Sequence, residues 1–177
     1  MKLVKMFFLI ILITLSTAIA PTPTIANNTR DIEAEQTKNM DNPPVIEAQE
    51  KKFNIFSLVY TLKGDVHIRH KTRSITADFA EYKLTSQEVK ASGNIEFQDG
   101  NFAATCDRLY APTRSDRVDL IGNIVFRKND VTIYADNASF NWNSKIATFE
   151  NNVTVDSNGT KKQYNTVQYK VTTGEFL

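Results

Sequence analysis

The chain has 177 residues, about the size of one domain, and 21 basic residues against 20 acidic ones. A formal charge of +1 excludes bulk electrostatic attraction to nucleic acid, so no nucleic-acid partner is expected. The single cysteine, Cys106, excludes an intrachain disulfide.

The N-terminus has the layout of an export signal. Lys2 and Lys5 precede an apolar run from Met6 to Ala20, and Thr24-Ile25-Ala26 supplies small residues for cleavage after Ala26. An uncleaved run of that length would span only about 22 Å at 1.5 Å per residue, short of the ~30 Å hydrocarbon layer. Residues 1–26 are therefore expected to be a signal peptide directing the protein to the periplasm, with an inner-membrane anchor the alternative if it stays uncleaved. Residues 27–52 are rich in charged and polar side chains, include Pro43-Pro44, and are expected to be a disordered linker. A β-repeat domain is expected over 53–177.

From Gly64 the sequence repeats every 29 residues, the units opening at Gly64-Asp65-Val66, Gly93-Asn94-Ile95, Gly122-Asn123-Ile124 and Asn151-Asn152-Val153. An alternating apolar pair follows each opening: Val66/Ile68, Ile95/Phe97, Ile124/Phe126 and Val153/Val155. Such alternation is that of half-buried strands, and a fixed period means a stack of small units that bury their apolar faces only against one another. Asp99-Gly100, Asn129-Asp130 and Asn158-Gly159 favour tight hairpins. Return strands then turn Ile75/Ala77, Phe102/Ala104/Cys106 and Val131/Ile133/Ala135 inward. Beyond an Ala/Cys-Asp step come Ala80/Tyr82/Leu84, Leu109/Ala111, Ala138/Phe140/Trp142 and Val167/Tyr169/Val171, and a last short strand carries Val89/Ala91, Val118/Leu120, Ala147/Phe149 and Phe176. The tight hairpins demand antiparallel neighbours, which argues against a parallel β-helix.

The chemistry-bearing residues point away from catalysis. Asp78, Asp107 and Asp136 recur at one register, where an Asp capping backbone N–H groups between two short strands accounts for them, and no nucleophile or base recurs beside them. Cys106 stands in the column of Ala77 and Ala135 and reads as a small buried residue. His67 lies on the outer face of its strand, so neither a metal nor a cofactor is expected, and no enzyme.

Gly64-Asp65-Val66-His67-Ile68, Ile75-Thr76-Ala77-Asp78-Phe79-Ala80-Glu81-Tyr82, Ala91-Ser92-Gly93-Asn94-Ile95 and Val131-Thr132-Ile133-Tyr134-Ala135-Asp136 together resemble the LptA/OstA family of periplasmic lipopolysaccharide transport proteins, from about Phe53 to Leu177. The resemblance implies a twisted, V-shaped antiparallel β sandwich or jellyroll, here of four 29-residue repeats, whose apolar interior shelters the acyl chains of the lipid A moiety. It also implies partners: an LptC-like inner-membrane component, an LptD-like outer-membrane translocon, and further copies joined head to tail. The fourth unit departs from the pattern with Tyr164-Asn165 in place of Ala-Asp.

On this reading the lipid-binding interior is formed by Val66, Ile68, Ile75, Tyr82, Ile95, Phe97 and Phe102 with Leu109, Ile124, Phe126, Ile133, Phe140, Trp142 and Phe149. Arg69, Lys71 and Arg73 are candidate phosphate contacts, although a solvated charge run at a hairpin tip is the simpler explanation. A membrane-anchored LptC-like component and an exported structural β repeat without lipid cargo are the alternative functions.

Overall fold

The computed structural model describes residues 45–70, 73–112 and 114–177. Its strands are β1 (Val45–Glu47), β2 (Glu50–Asn54), β3 (Val59–His70), β4 (Arg73–Lys83), β5 (Glu88–Asp99), β6 (Phe102–Pro112), β7 (Arg117–Lys128), β8 (Val131–Asn141), β9 (Ile146–Ser157), β10 (Thr160–Lys170) and β11 (Glu175–Phe176). They form one antiparallel sheet in which β3 to β11 follow chain order, while β1 and β2 both pair with the outer side of β3. The leader expected at 1–26 and residues 27–44 of the linker expected at 27–52 lie outside the described residues.

The ordered sheet starts earlier than the sequence pattern suggests. β1 and most of β2 fall where a disordered linker was expected, and Gln49 between them fixes the register: its N–H donates to the Gly64 carbonyl at 2.9 Å and its Nε2 to Asp65 Oδ2 at 2.5 Å. The pattern was silent here because all five residues of β2 are exposed, which leaves no inward alternation to read.

Each expected pair of short strands is one long strand. β5 and β7 run twelve residues through Gly93-Asn94 and Gly122-Asn123, and β6 and β8 run eleven through Cys106-Asp107 and Ala135-Asp136. Between the paired positions Ser92↔Arg108 and Ile95↔Cys106, two residues of β5 face one of β6, which is a bulge. Gly93 (φ 77°) and Asn94 (φ 46°) both take left-handed backbone, as do Gly122 (φ 81°) and Asn123 (φ 48°). Glycine, and next to it asparagine, are the residues that reach this region at low cost, which explains the Gly-Asn step.

The aspartate column serves these bulges. Rather than capping local backbone N–H groups, Asp78, Asp107 and Asp136 each accept a side-chain hydrogen bond from the asparagine on the next bulged strand: Asn94 at 3.0 Å, Asn123 at 2.9 Å and Asn152 at 2.6 Å. Gln49 and Asp65 make the same bridge with donor and acceptor exchanged. The departure of the fourth unit now has a reason. Tyr164-Asn165 lies on β10 where β11 does not reach, so no neighbouring asparagine is there to bind an aspartate.

The bulge row divides every long strand into two halves, and the sheet is folded so that the halves face each other. Phe97 on β5 meets the Trp142 ring just past β8 at 6.0 Å between centroids, Phe102 meets Phe140 at 6.1 Å, and Phe126 meets Phe149 at 5.4 Å and Tyr169 at 5.6 Å. β5 pairs only with β4 and β6, so the contact with Trp142 crosses from one half of the sheet to the other. The first arm holds the hairpin tips and the second holds the opposite turns. Tips fall at Asn129-Asp130 and Asn158-Gly159, while the β5–β6 tip is Gly100-Asn101, one residue later than expected, because Asp99 still pairs with Phe102. The buried residues are the inward-alternating ones of both arms; Phe176 departs, at 46% exposed, on β11, which among the described residues has β10 as its one neighbour.

The bulge predicts an ordered set of stabilities. A Cβ at Gly122 would lie 2.4 Å from Asp107 Oδ2 at a positive φ, whereas one at Gly100, also at positive φ, would meet nothing within 4 Å. Gly100→Ala should therefore cost about 1 kcal/mol from backbone conformation alone, Asn123→Ala about 1–2 kcal/mol through the lost bridge, and Gly122→Ala more than either. Urea unfolding of the three variants checks this; equal losses for Gly122→Ala and Gly100→Ala would contradict the bulge geometry.

Candidate functional site

The two arms enclose an apolar groove. A cavity of about 80 Å³ remains between them, lined from the first arm by Arg73, Ile75, Phe97, Phe102, Ala104 and Phe126. Leu109, Ala111, Val118, Leu120, Ala138, Ser139, Phe140, Trp142, Ala147 and Phe149 line it from the second. Residues alternate across each strand, and opposite partners on neighbouring strands share a face, so the ladder of Phe97, Phe102 and Phe126 is built by register alone.

Of the interior residues read from the sequence, Ile75, Phe97, Phe102, Leu109, Phe126, Phe140, Trp142 and Phe149 come together on this cavity. Val66, Ile68, Tyr82, Ile95, Ile124 and Ile133 do not touch it; they are buried in the surrounding core, Val66 and Ile133 completely. Val66, Ile95 and Ile124 sit beside the bulge row, whereas Ile68 and Ile133 share a transverse row with the cavity-lining Ile75, Phe97 and Phe126 on strands nearer the ends of the sheet.

The three candidate phosphate contacts do not form one patch. Arg69 is on the outer face, about half exposed, and pairs with Glu47 at 2.9 Å. Lys71 lies outside the described residues. Arg73 faces the groove, paired with Asp99 at 2.8 Å and placed over the Trp142 ring at 5.3 Å. Lys128 was missed. The alternation that turns Ile124 and Phe126 inward turns Lys128 inward as well; it is 5% exposed, and its Nζ donates to the Val171 carbonyl on the second arm.

The one thiol, Cys106, lies outside this lining and is a poor nucleophile. Burial pushes the Cys106 thiol up to about 11, the adjacent Asp107 charge adding to the effect, so it stays protonated at neutral pH and packs as a small apolar residue. What the site offers is apolar area. Phe97→Asp or Phe126→Asp would force a carboxylate among aromatic rings and should abolish binding of apolar ligands and lower stability by several kcal/mol. Glu96→Ala, on the exposed face of the same strand, should change neither. Hydrophobic-probe binding and thermal melts of the three variants check this, and an equal effect at Glu96 would invert the inward assignment.

Comparison with known proteins agrees with this geometry. The family model described as LptA/(LptD N-terminal domain) LPS transport protein matches residues 45–136, just over half of the chain and starting at β1. LPS-assembly protein LptD from Shewanella oneidensis is 42% identical over 59 residues, covering 33% of this chain and 8% of that protein. LptD from Shewanella sp. strain ANA-3 is 31% identical over 110 residues, 56% of this chain and 14% of its own length. The chain thus spans only a small fraction of these relatives. Among solved structures, LptH from Pseudomonas aeruginosa, described as the LptA homologous periplasmic component of the lipopolysaccharide transport device, superposes with a TM-score of 0.56 at 14% identity, covering 63% of this chain and 84% of LptH. That likeness establishes a shared all-β fold.

Proposed function

The chain belongs to the LptA/(LptD N-terminal domain) family of lipopolysaccharide transport proteins, and on that premise we propose that it shelters the acyl chains of lipid A in the groove between its two arms. In this reading it is a periplasmic carrier that passes lipopolysaccharide along a bridge from an LptC-like inner-membrane component to an LptD-like outer-membrane translocon. The observation that supports the reading best is the apolar, aromatic-lined space between arms that meet through side-chain contacts instead of a backbone ladder. Each sheltered methylene contributes about 0.8 kcal/mol, so ten give ~8 kcal/mol before ordering costs, in the micromolar range that still permits handover. A cavity of about 80 Å³ is well below the ~300 Å³ at which ligand sites begin, so the arms must part to admit an acyl chain.

A photo-crosslinker at Phe97 in the exported protein tests this. Attachment of lipopolysaccharide at Phe97, and none at the outward position Glu96, is the expected result; equal labelling at both, or none at either, would remove the lipid reading.

The bridge calls for head-to-tail contacts, and the two sheet edges suit them. Among the described residues β2 has a partner on one side only, with exposed Ile55 and Phe56 following it; at the other edge, β10 is uncovered by them before β11 begins and carries exposed Tyr164, with Phe176 and Leu177 nearby. Unpaired edges are templates for strand addition, and because the two edges differ, joining one to the other propagates instead of closing into a two-fold dimer. Val59 is unsuitable for a proline test because it pairs with both Asn54 and Lys83. Val171 is unsuitable too, since its N–H donates to the Lys145 carbonyl. The bond from Leu84 N–H to Leu58 O turns Tyr60 and Leu62 toward β4 and Thr61 toward β2, which leaves the N–H of Lys51, opposite Leu62, on the free side; the bond from Leu177 N–H to Gln168 O does the same for Thr166. Light scattering should show concentration-dependent oligomers that Lys51→Pro and Thr166→Pro each abolish. A monomer at every concentration, with no binding to other domains of this fold, would remove the bridge and leave the groove.

A further inference from the structure

One transverse row of the sheet departs from the apolar character of the groove. Arg73 stands opposite Asp99, Asp99 opposite Phe102, Phe102 opposite Lys128, and Lys128 opposite Val131. Directly opposed residues share a face, and two-residue steps to Ile75, Phe97, Ala104 and Phe126 make that face the interior. The row lies at the hairpin tips of the first arm, at the rim of the groove. It thus turns two cations and one carboxylate toward a space otherwise lined by hydrocarbon.

The two cations are satisfied in different ways. Arg73 has Asp99 at 2.8 Å, with their side chains 21% and 18% exposed. Lys128 is two strands from Asp99, about 10 Å away at ~4.8 Å per strand. Among the described residues no ion pair joins it to a carboxylate; its ammonium donates to the Val171 carbonyl in the turn after β10. An ammonium has three donors, and one neutral carbonyl is a poor exchange for water. Both cations also tie the arms together, Lys128 through Val171 and Arg73 through the Trp142 ring. An acyl chain that parts the arms separates these contacts and leaves a rim with a surplus positive charge.

We propose that this row is a phosphate-monoester site for an amphiphile whose chain lies in the groove, with Asp99 and the Val171 carbonyl holding the places of phosphate oxygens when no lipid is bound. The inference rests on the acyl-groove reading and adds its polar half. Apolar chains lie below the rim, the phosphate sits on Lys128 and Arg73, and Asp99 competes for Arg73 and keeps binding reversible.

Trp142 is the sole tryptophan, lines the cavity and lies against Arg73, so its fluorescence reports on the rim. Dodecyl phosphate, dodecanol and inorganic phosphate are titrated into the full chain below micellar concentrations. Dodecyl phosphate should bind about tenfold more tightly than dodecanol, as a charge-assisted contact warrants, and inorganic phosphate over the same range should leave the signal unchanged. Lys128→Met should bring the two amphiphiles to parity while keeping dodecanol affinity, and Asp99→Asn should raise the phosphate preference severalfold by freeing Arg73. Dodecanol binding without a phosphate preference in the unmodified chain, or an unchanged preference in Lys128→Met, overturns the row and leaves the groove standing. Saturation by inorganic phosphate alone overturns a site built for an amphiphile. Silence of Trp142 to both amphiphiles refutes the groove and the row with it. Should Lys128→Met lose its β signature in circular dichroism, Asp99→Asn decides alone, since an unchanged preference there also overturns the row.

Discussion

The structure depends on a hydrogen bond between two side chains, repeated across the sheet. At three places along the fold line, between β4 and β5, β6 and β7, and β8 and β9, an aspartate in one strand accepts from an asparagine held in left-handed backbone on the next, as in Asp107 with Asn123. A bulge adds a residue to one strand and increases its local bend, and a bulge at the same height in successive hairpins bends the whole sheet along a line. The bridge ties the side chains of two neighbouring strands across the bulge, where the backbone ladder is interrupted. Without it the long strands would have no reason to bend at one place, and the inner face would be an exposed apolar sheet instead of a groove.

The period of 29 residues follows from this bend. One unit is two strands of eleven or twelve residues with their turns, and each strand has to reach from a tip through the bulge to the opposite turn. Changing one unit's length would move its bulge off the line and its aspartate away from the neighbouring asparagine. The ends of the sheet obey the same requirement: Gln49 and Asp65 bridge with exchanged roles at the first edge, while the last edge, lacking a partner strand, lacks the aspartate.

Much of this was legible in the sequence, because a period-two alternation repeated at a fixed spacing reports both the strands and their inward faces. The inward residues from Val66 to Tyr169 were readable in this way. The bulges were not, since a Gly-Asn step signals a turn and a bulge alike and only the neighbouring strand distinguishes them. For the same reason the aspartates read as local caps: their partners are sixteen residues away, beyond the reach of local rules. β1 and β2 were hidden by their exposed composition. The charged row escaped because an apolar pattern is read until it stops, and Asp99 and Lys128 each come one step after the last apolar residue of an otherwise regular alternation. The cavity itself depends on how closely the arms approach, a tertiary quantity that residue order does not carry.

The same architecture determines which motion is soft. Pulling neighbouring strands apart would break backbone ladders that run most of each strand's length, whereas parting the arms leaves every ladder intact. That opening costs aromatic contacts such as Phe97 with Trp142 and Phe102 with Phe140, together with the polar ties of Lys128 and Arg73 at the rim. Offset and edge-on ring pairs contribute about 0.5–1.5 kcal/mol each beyond their buried area, and an acyl chain between the arms would replace most of what is lost. The bulge row then serves as a hinge whose own hydrogen bonds lie outside the opening. A fold that binds by spreading two halves of one sheet can accept chains of different length along the groove without a cavity shaped for any one of them. The polar row at the tips, by contrast, stands at one height and, on the proposal above, would set where a headgroup stops.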